Sequence, residues 1–226
     1  MIQIAGVTDL EEALMLAETG IDYLGFPLRL KDGREDISEE YAKQIISKIS
    51  MKTTAVLITY LDNSKDIVDL SNYLDVKVVQ LHGRIELPEV IRIKNLLQHI
   101  SIIKSLVVRG DNLDELLSEI DIYSKHIDYF ITDTFDPETG RSGATGLTHN
   151  WEISGKLAEL SSRPLILAGG LNPDNVFEAI MRVKPAGVDS HTCVENTSGR
   201  KDPELVKKFI SEARRGFNYL SNESKN

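Results

Sequence analysis

The sequence predicts a single-domain α/β protein folded as a (β/α)8 TIM barrel. Eight apolar runs of strand length alternate with eight amphipathic segments of helix length, and the alternation never breaks. The 226 residues match the size of a compact barrel. No Pro- or Ser-rich linker or low-complexity stretch divides the chain. An open doubly wound sheet is the other arrangement that fits this alternation. The strand-like runs are "MIQIA" (1–5), "DYLGF" (22–26), "TTAVLIT" (53–59), "VKVVQLH" (76–82), "ISIIKSLVV" (100–108), "IDYFITD" (127–133), "PLILAGG" (164–170) and "AGVDS" (186–190). The first helical pattern, "TDLEEALMLAETG", has Thr8 or Asp9 as its cap and Gly20 as its terminator. The others begin near Ser38, Ser64, Leu87, Asn112, Asn150, Asn172 and Asp202. The barrel is expected over residues 1–216, with a polar tail over 217–226 ending in "SNESKN".

Composition narrows the partners. A formal charge of −9, with 41% hydrophobic and 27% charged residues, describes a soluble globular chain. It argues against nucleic acid or a membrane surface, which both call for a cationic face. An anionic ligand would have to be held locally. The single cysteine, Cys193, excludes an intramolecular disulfide and a multi-cysteine zinc site, so no metal is expected. No apolar run approaches the ~18 residues of a membrane span, nor is there a basic stretch followed by an apolar core at the N-terminus. A cytoplasmic location follows as the expectation.

In such a barrel the chemistry lies where each strand ends and the next loop opens. Those positions hold Ala5, Gly25 and Phe26, Thr59, His82 and Gly83, Val108 and Arg109, Asp133, Gly169 and Gly170, and Asp189 to Cys193. Loops after the seventh and eighth strands commonly bind phosphate through backbone N–H groups, and "LAGGLNPDNV" supplies glycines that let a backbone approach closely. Spacing alone leaves Gly169 and Gly170 equally readable as a tight turn.

Nearly the whole chain resembles the phosphoribosylanthranilate isomerase family, through "VVQLHG" (78–83), "FITDT" (130–134), "GATGLTHNW" (143–151), "LAGGLNPDNV" (167–176) and "GVDSHTCVE" with "GRKDPELVKKFI". The motifs stand in the family's order and spacing. The resemblance implies the barrel fold, no cofactor, a phosphorylated anionic small-molecule substrate, a monomer or homodimer, and an Amadori rearrangement in tryptophan biosynthesis. It places the family's acid at Asp133. An aspartate that gives up a proton near neutral pH needs burial to favour its neutral form. It also makes His82, Gly143, Thr145, Gly146 and Asp189 substrate-binding, and Gly169, Gly170, His191 and Thr192 phosphate-binding. A cation for the substrate's carboxylate falls at Arg34 in "LRLKDGREDIS", with Arg29 second.

The chain departs from the family at the base. The family opens with Lys-Ile-Cys-Gly, whereas this chain reads "QIAG", with Gln3 for the lysine and Ala5 for the catalytic cysteine. An alanine accepts no proton. The family's Ser-Ser-Gly phosphate cradle is likewise replaced by His191, Thr192 and Cys193. His191 or Cys193 is therefore the candidate replacement base, with His149 a further histidine to consider. Three functions stay open: the isomerase with a relocated base, a related barrel enzyme acting on another aminosugar or sugar phosphate, and a catalytically inactive ligand-binding paralogue.

Overall fold

The computed structural model describes residues 1–30, 35–49, 53–136, 141–142 and 148–223. Eight parallel strands close into a barrel: β1 (Ile2–Ala5), β2 (Tyr23–Leu28), β3 (Thr54–Thr59), β4 (Val78–Leu81), β5 (Ser101–Val108), β6 (Tyr129–Asp136), β7 (Leu165–Leu167) and β8 (Gly187–Ser190). Closure joins β8 to β1 with Gln3 opposite Asp189, and β5 to β6 with Val107 opposite Asp133. A two-residue strand, Arg141–Ser142, folds back antiparallel on the end of β6. The closed parallel sheet is the predicted TIM barrel, and the open-sheet alternative is excluded.

Helices α1 (Leu10–Glu18), α2 (Glu39–Ile46), α3 (Ser64–Leu74), α4 (Leu87–Leu96), α5 (Leu113–Tyr123), α6 (Trp151–Leu160), α7 (Val176–Val183) and α8 (Pro203–Glu223) follow the strands. Their starts obey local chemistry. Asp9, rather than Thr8, caps α1 by accepting from the Glu12 amide. Ser38, Asn63 and Asn150 cap α2, α3 and α6 in the same way. Asn172 holds a turn instead, accepting from the amides of Asp174 and Asn175, so α7 starts at Val176. The last helix runs on to Glu223, through seven residues of the expected polar tail.

Strand alternation sorts the core into two layers. Ile2, Ile4, Leu24 and Phe26 face outward into a large core under the helices. Ala5, Val56, Ile58, Val78, Ile103, Ile131, Ile166 and Ala168 fill the barrel's interior. Gln3 and Gln80 are buried in that interior too. Their polar groups demand partners, and those partners lead to the mouth.

Candidate active site

Asp133 lies in the second half of β6 and is only 4% exposed. Its Oδ1 accepts from the Thr134 amide at 2.8 Å, and its Oδ2 lies 2.9 Å from His82 Nε2. His82 follows β4, with Tyr60 packed edge-on against its ring and Ser105 Oγ 2.9 Å from its Nδ1. The glycine of "LHG" has a packing reason: a Cβ on Gly83 would come within 2.9 Å of the Tyr60 carbonyl. The structure thus brings together Asp133 and His82, two residues 51 positions apart in the sequence.

Asp189 projects from β8 beside Gln3, whose amide donates to its carboxylate. Its other oxygen, Oδ1, is shielded and has no partner among the described residues. Burial pushes the carboxyl up to about 7; the Asp133 charge raises it further, and the Gln3 hydrogen bond opposes the rise. A lysine at position 3 would supply the missing cation. The glutamine does not.

His191 follows β8, and its ring lies against Gly6, where a Cβ would sit 1.9 Å from His191 Nε2. Gly6, with φ of +81°, is therefore a backbone position and a contact that only glycine satisfies. The imidazole accordingly stands beside the residue that follows Ala5. Burial depresses it to about 3, with the charge of Lys201 adding to the fall, so the ring is neutral at ordinary pH. Glu195 Oε1 is 3.7 Å from Nε2 but is already paired with the fully buried Lys201 ammonium. Lys201 is further tied in by its amide, which donates to Glu12 at 2.7 Å. Cys193 is different: burial raises its half-buried thiol, which stays protonated at neutral pH.

The two loops of the expected phosphate site are linked. Gly169 and Gly170 both adopt positive φ, at +104° and +62°. Ser190 Oγ donates to the Leu171 carbonyl at 2.7 Å, fastening the end of β8 to this turn, and Asn175 Nδ2 donates to the Gly170 carbonyl. Thr192 opens a three-residue 3-10 turn, Thr192–Val194, at the start of the opposing loop. Behind Gly169, His149 bridges Thr134 Oγ1 (2.8 Å) and Ser154 Oγ (2.6 Å), and burial lowers its ring to about 4.

The remaining expectations divide. Arg34, Gly143, Thr145 and Gly146 lie outside the described residues. Arg29 ends up with φ of +53° and its guanidinium on Glu39 at 2.7 and 3.3 Å, a salt bridge to the first residue of α2. Sequence reasoning passed over Gln80, Thr134, Ser154, Glu195 and Lys201. Gln80, Thr134, Glu195 and Lys201 all fall inside the quoted motifs, and Gln80 carried a further signal, since it precedes His82 by two and so shares its face.

Comparison with known proteins agrees with this geometry. A family model described as N-(5'-phosphoribosyl)anthranilate (PRA) isomerase matches residues 2–212. N-(5'-phosphoribosyl)anthranilate isomerase 2 of Methanosarcina mazei is 34% identical over 224 residues, covering 99% of this chain and 98% of its own. The isomerase of Desulforudis audaxviator is 35% identical over 216 residues, covering 95% and 98%. The crystal structure of the isomerase from Thermotoga maritima superposes with a TM-score of 0.79 at 32% identity, covering 94% and 98%. A complex of the isomerase with reduced 1-(o-carboxyphenylamino)-1-deoxyribulose 5-phosphate matches with a TM-score of 0.77 at 29% identity, covering 94% and 97%. With a family model spanning all eight strands and relatives matching over their whole length, the chain belongs to the phosphoribosylanthranilate isomerase family.

Proposed function

We propose that the protein isomerises N-(5'-phosphoribosyl)anthranilate to the open-chain aminoketose by an Amadori rearrangement, with Asp133 as acid and His191 as the relocated base. The observation that carries the reading is the buried Asp133, held at the barrel mouth against His82. Asp133 protonates the ring oxygen as the C1–O bond breaks, and the nitrogen lone pair forms the C1=N iminium. The neutral His191 imidazole takes the proton from C2, and that C–H pair becomes the C1=C2 bond of an enolamine. Loss of the 2-hydroxyl proton and protonation at C1 then give the ketone. Gly169, Gly170 and Thr192 would hold the phosphate through backbone N–H groups. Asp189 would meet the sugar, and Arg34 the anthranilate carboxylate. No cofactor takes part in these steps. Of the two candidate bases, Cys193 is the poorer, because a thiol that stays protonated cannot accept the C2 proton.

Turnover of phosphoribosylanthranilate by the purified protein tests the reading, together with Asp133→Asn, which should remove about 10²- to 10⁴-fold of the rate. No turnover by the folded wild type, with tight binding of a different sugar phosphate, would favour the second reading. That reading, a barrel acting on another aminosugar or sugar phosphate, draws on one observation: the His191 ring occupies the space where a Cβ on Gly6, the residue after the family's base position, would sit. The chain's expected setting is the cytoplasm, as a monomer or homodimer. Among the described residues no helix is long and apolar enough to cross a membrane.

A further inference from the structure

Gln3 donates from Nε2 to Gln80 Oε1 at 3.0 Å, inside the barrel and away from solvent. The same amide nitrogen donates to Asp189. With one N–H on Gln80 and the other toward Asp189, the Oε1 of Gln3 is left without a partner among the described residues. With Asp189 ionised, above about pH 7, the opposite orientation would place the Gln3 oxygen against a carboxylate and a carbonyl oxygen, with no donor between three acceptors. Gln80, having accepted at Oε1, presents its own Nε2 to His82 Nδ1 at 3.4 Å. An amide nitrogen can only donate, so Nδ1 must be the unprotonated ring nitrogen. Ser105 Oγ, 2.9 Å from the same Nδ1, is a hydroxyl that donates to an unprotonated ring nitrogen and so fits this assignment. The ring proton then resides on Nε2, which stands 2.9 Å from Asp133 Oδ2, an oxygen with no hydrogen-bond partner among the described residues.

We infer that Gln3 and Gln80 are positioning residues: a directed amide chain running from the Asp189 carboxylate fixes His82 in the tautomer that presents Nε2–H to the acid Asp133. The direction of every link is set by its neighbour. Asp189 accepts, Gln3 spends both donors, Gln80 is oriented, and His82 has one tautomer left. For the reaction this matters because the N–H stabilises the Asp133 carboxylate that remains after the ring oxygen is protonated. The opposite tautomer would aim a lone pair at that oxygen. The groups facing this chain are Asp189 from β8, Asp133 from β6 and His82 from the loop after β4. The inference rests on Asp133 being the acid, but its test does not need turnover.

The chain makes an unusual prediction about position 3: any donor there should serve, and an acceptor should not. A ¹⁵N spectrum of the free protein, labelled at histidine, reads the protonation of each His82 nitrogen directly. The wild type should show Nδ1 unprotonated and Nε2 protonated. Gln3→Lys, which only donates, should keep that pattern. Gln3→Glu, nearly isosteric but only an acceptor when ionised, should turn Gln80 around, so that its oxygen faces His82 and Nδ1 gains a proton. Gln80→Glu should do the same at the next link. In turnover, Gln3→Glu should lower kcat by about 10-fold or more with KM little changed and shift the pH profile, and Gln3→Lys should not share that loss. A wild-type spectrum with Nε2 unprotonated overturns the inference without any variant. A folded Gln3→Glu protein that keeps the wild-type pattern at a pH above the titration of the introduced carboxyl also overturns it. If the tautomer follows the chain but the protein never turns over phosphoribosylanthranilate, the positioning stands and the proposed reaction fails.

Discussion

Replacing His191 with alanine asks whether the imidazole over Gly6 does the work that position 5 cannot. The ring is neutral above about pH 3, so it is a competent acceptor across the physiological range. It is also a weak one, because efficiency as a base falls as the pKa drops below the working pH. A single general base contributes ~10²- to 10⁴-fold, and the low pKa places this one near the bottom of that range. Loss of about 10² corresponds to ~2.7 kcal/mol of barrel-mouth catalysis, at ~1.36 kcal/mol per decade. The assay is steady-state turnover of phosphoribosylanthranilate by His191→Ala, with a thermal melt to confirm folding. Cys193→Ser is the companion variant and should turn over at the wild-type rate. In the His191→Ala background, Ala5→Cys alone should recover little, since Gln3 offers no cation to ionise the thiol. Adding Gln3→Lys should recover more. A folded His191→Ala protein that retains turnover within about twofold refutes the assignment, and a large loss in Cys193→Ser would move the base to the thiol.

Two further perturbations act on the scaffold of the site. Gly169→Ala would bring a Cβ to 2.1 Å from Thr134 Oγ1 and 2.9 Å from His149 Nδ1 at φ of +104°, so it should destabilise by about 3 kcal/mol or more. In a chain of this size that is a fall of roughly 6–12 °C in Tm, and an unchanged melt would show that the turn can relax. His149→Phe removes a ring held at about 4, below its ordinary 6.5. The fold favours the neutral ring, so its contribution is complete above pH 6.5 and is lost as pH falls towards 4. The stability advantage of wild type over His149→Phe should therefore shrink between pH 7 and 4, by on the order of 2 kcal/mol, in denaturant melts. Parallel curves would show that His149 does not titrate against folding.

The parts of this molecule that were legible in the sequence are those governed by short-range pattern. Period-two and helical patterns located all eight strands, and Asp9, Ser38 and Asn150 announced their helices by side-chain chemistry. Asp133 and His82 were legible because each closes a strand in a quotable motif. Contacts made by closing the barrel were not. His191 meets Gly6 across 185 residues of chain, once β8 has paired with β1. Arg29 looked like a free cation until α2 placed Glu39 beside it. Gln80 sat in view within "QLHG", but which end of its amide points where depends on Gln3 and therefore on the barrel interior.

The departures from the family fall on one seam and make electrostatic sense together. Gln3 and Ala5 lie on β1, and His191 follows β8, the strand that pairs with β1. A cysteine base needs a neighbouring cation to exist as a thiolate, and a lysine at position 3 would also neutralise Asp189. Removing both lysine and cysteine deletes one positive and one potential negative charge from a buried interior. The replacements, an amide and a neutral imidazole, add none. Asp189 bears the consequence: burial, with no lysine at position 3 to offset it, pushes its carboxyl up to about 7. The site has therefore exchanged an ion-pair design for a hydrogen-bonded one, in which the direction of amides does what charge does in the family. That exchange predicts that reverting one residue alone recovers little of the family's chemistry. A cysteine at position 5 meets a neutral glutamine, and a lysine at position 3 finds no thiol to ionise. Only the pair, with the His191 ring removed from over Gly6, recreates the arrangement the family uses.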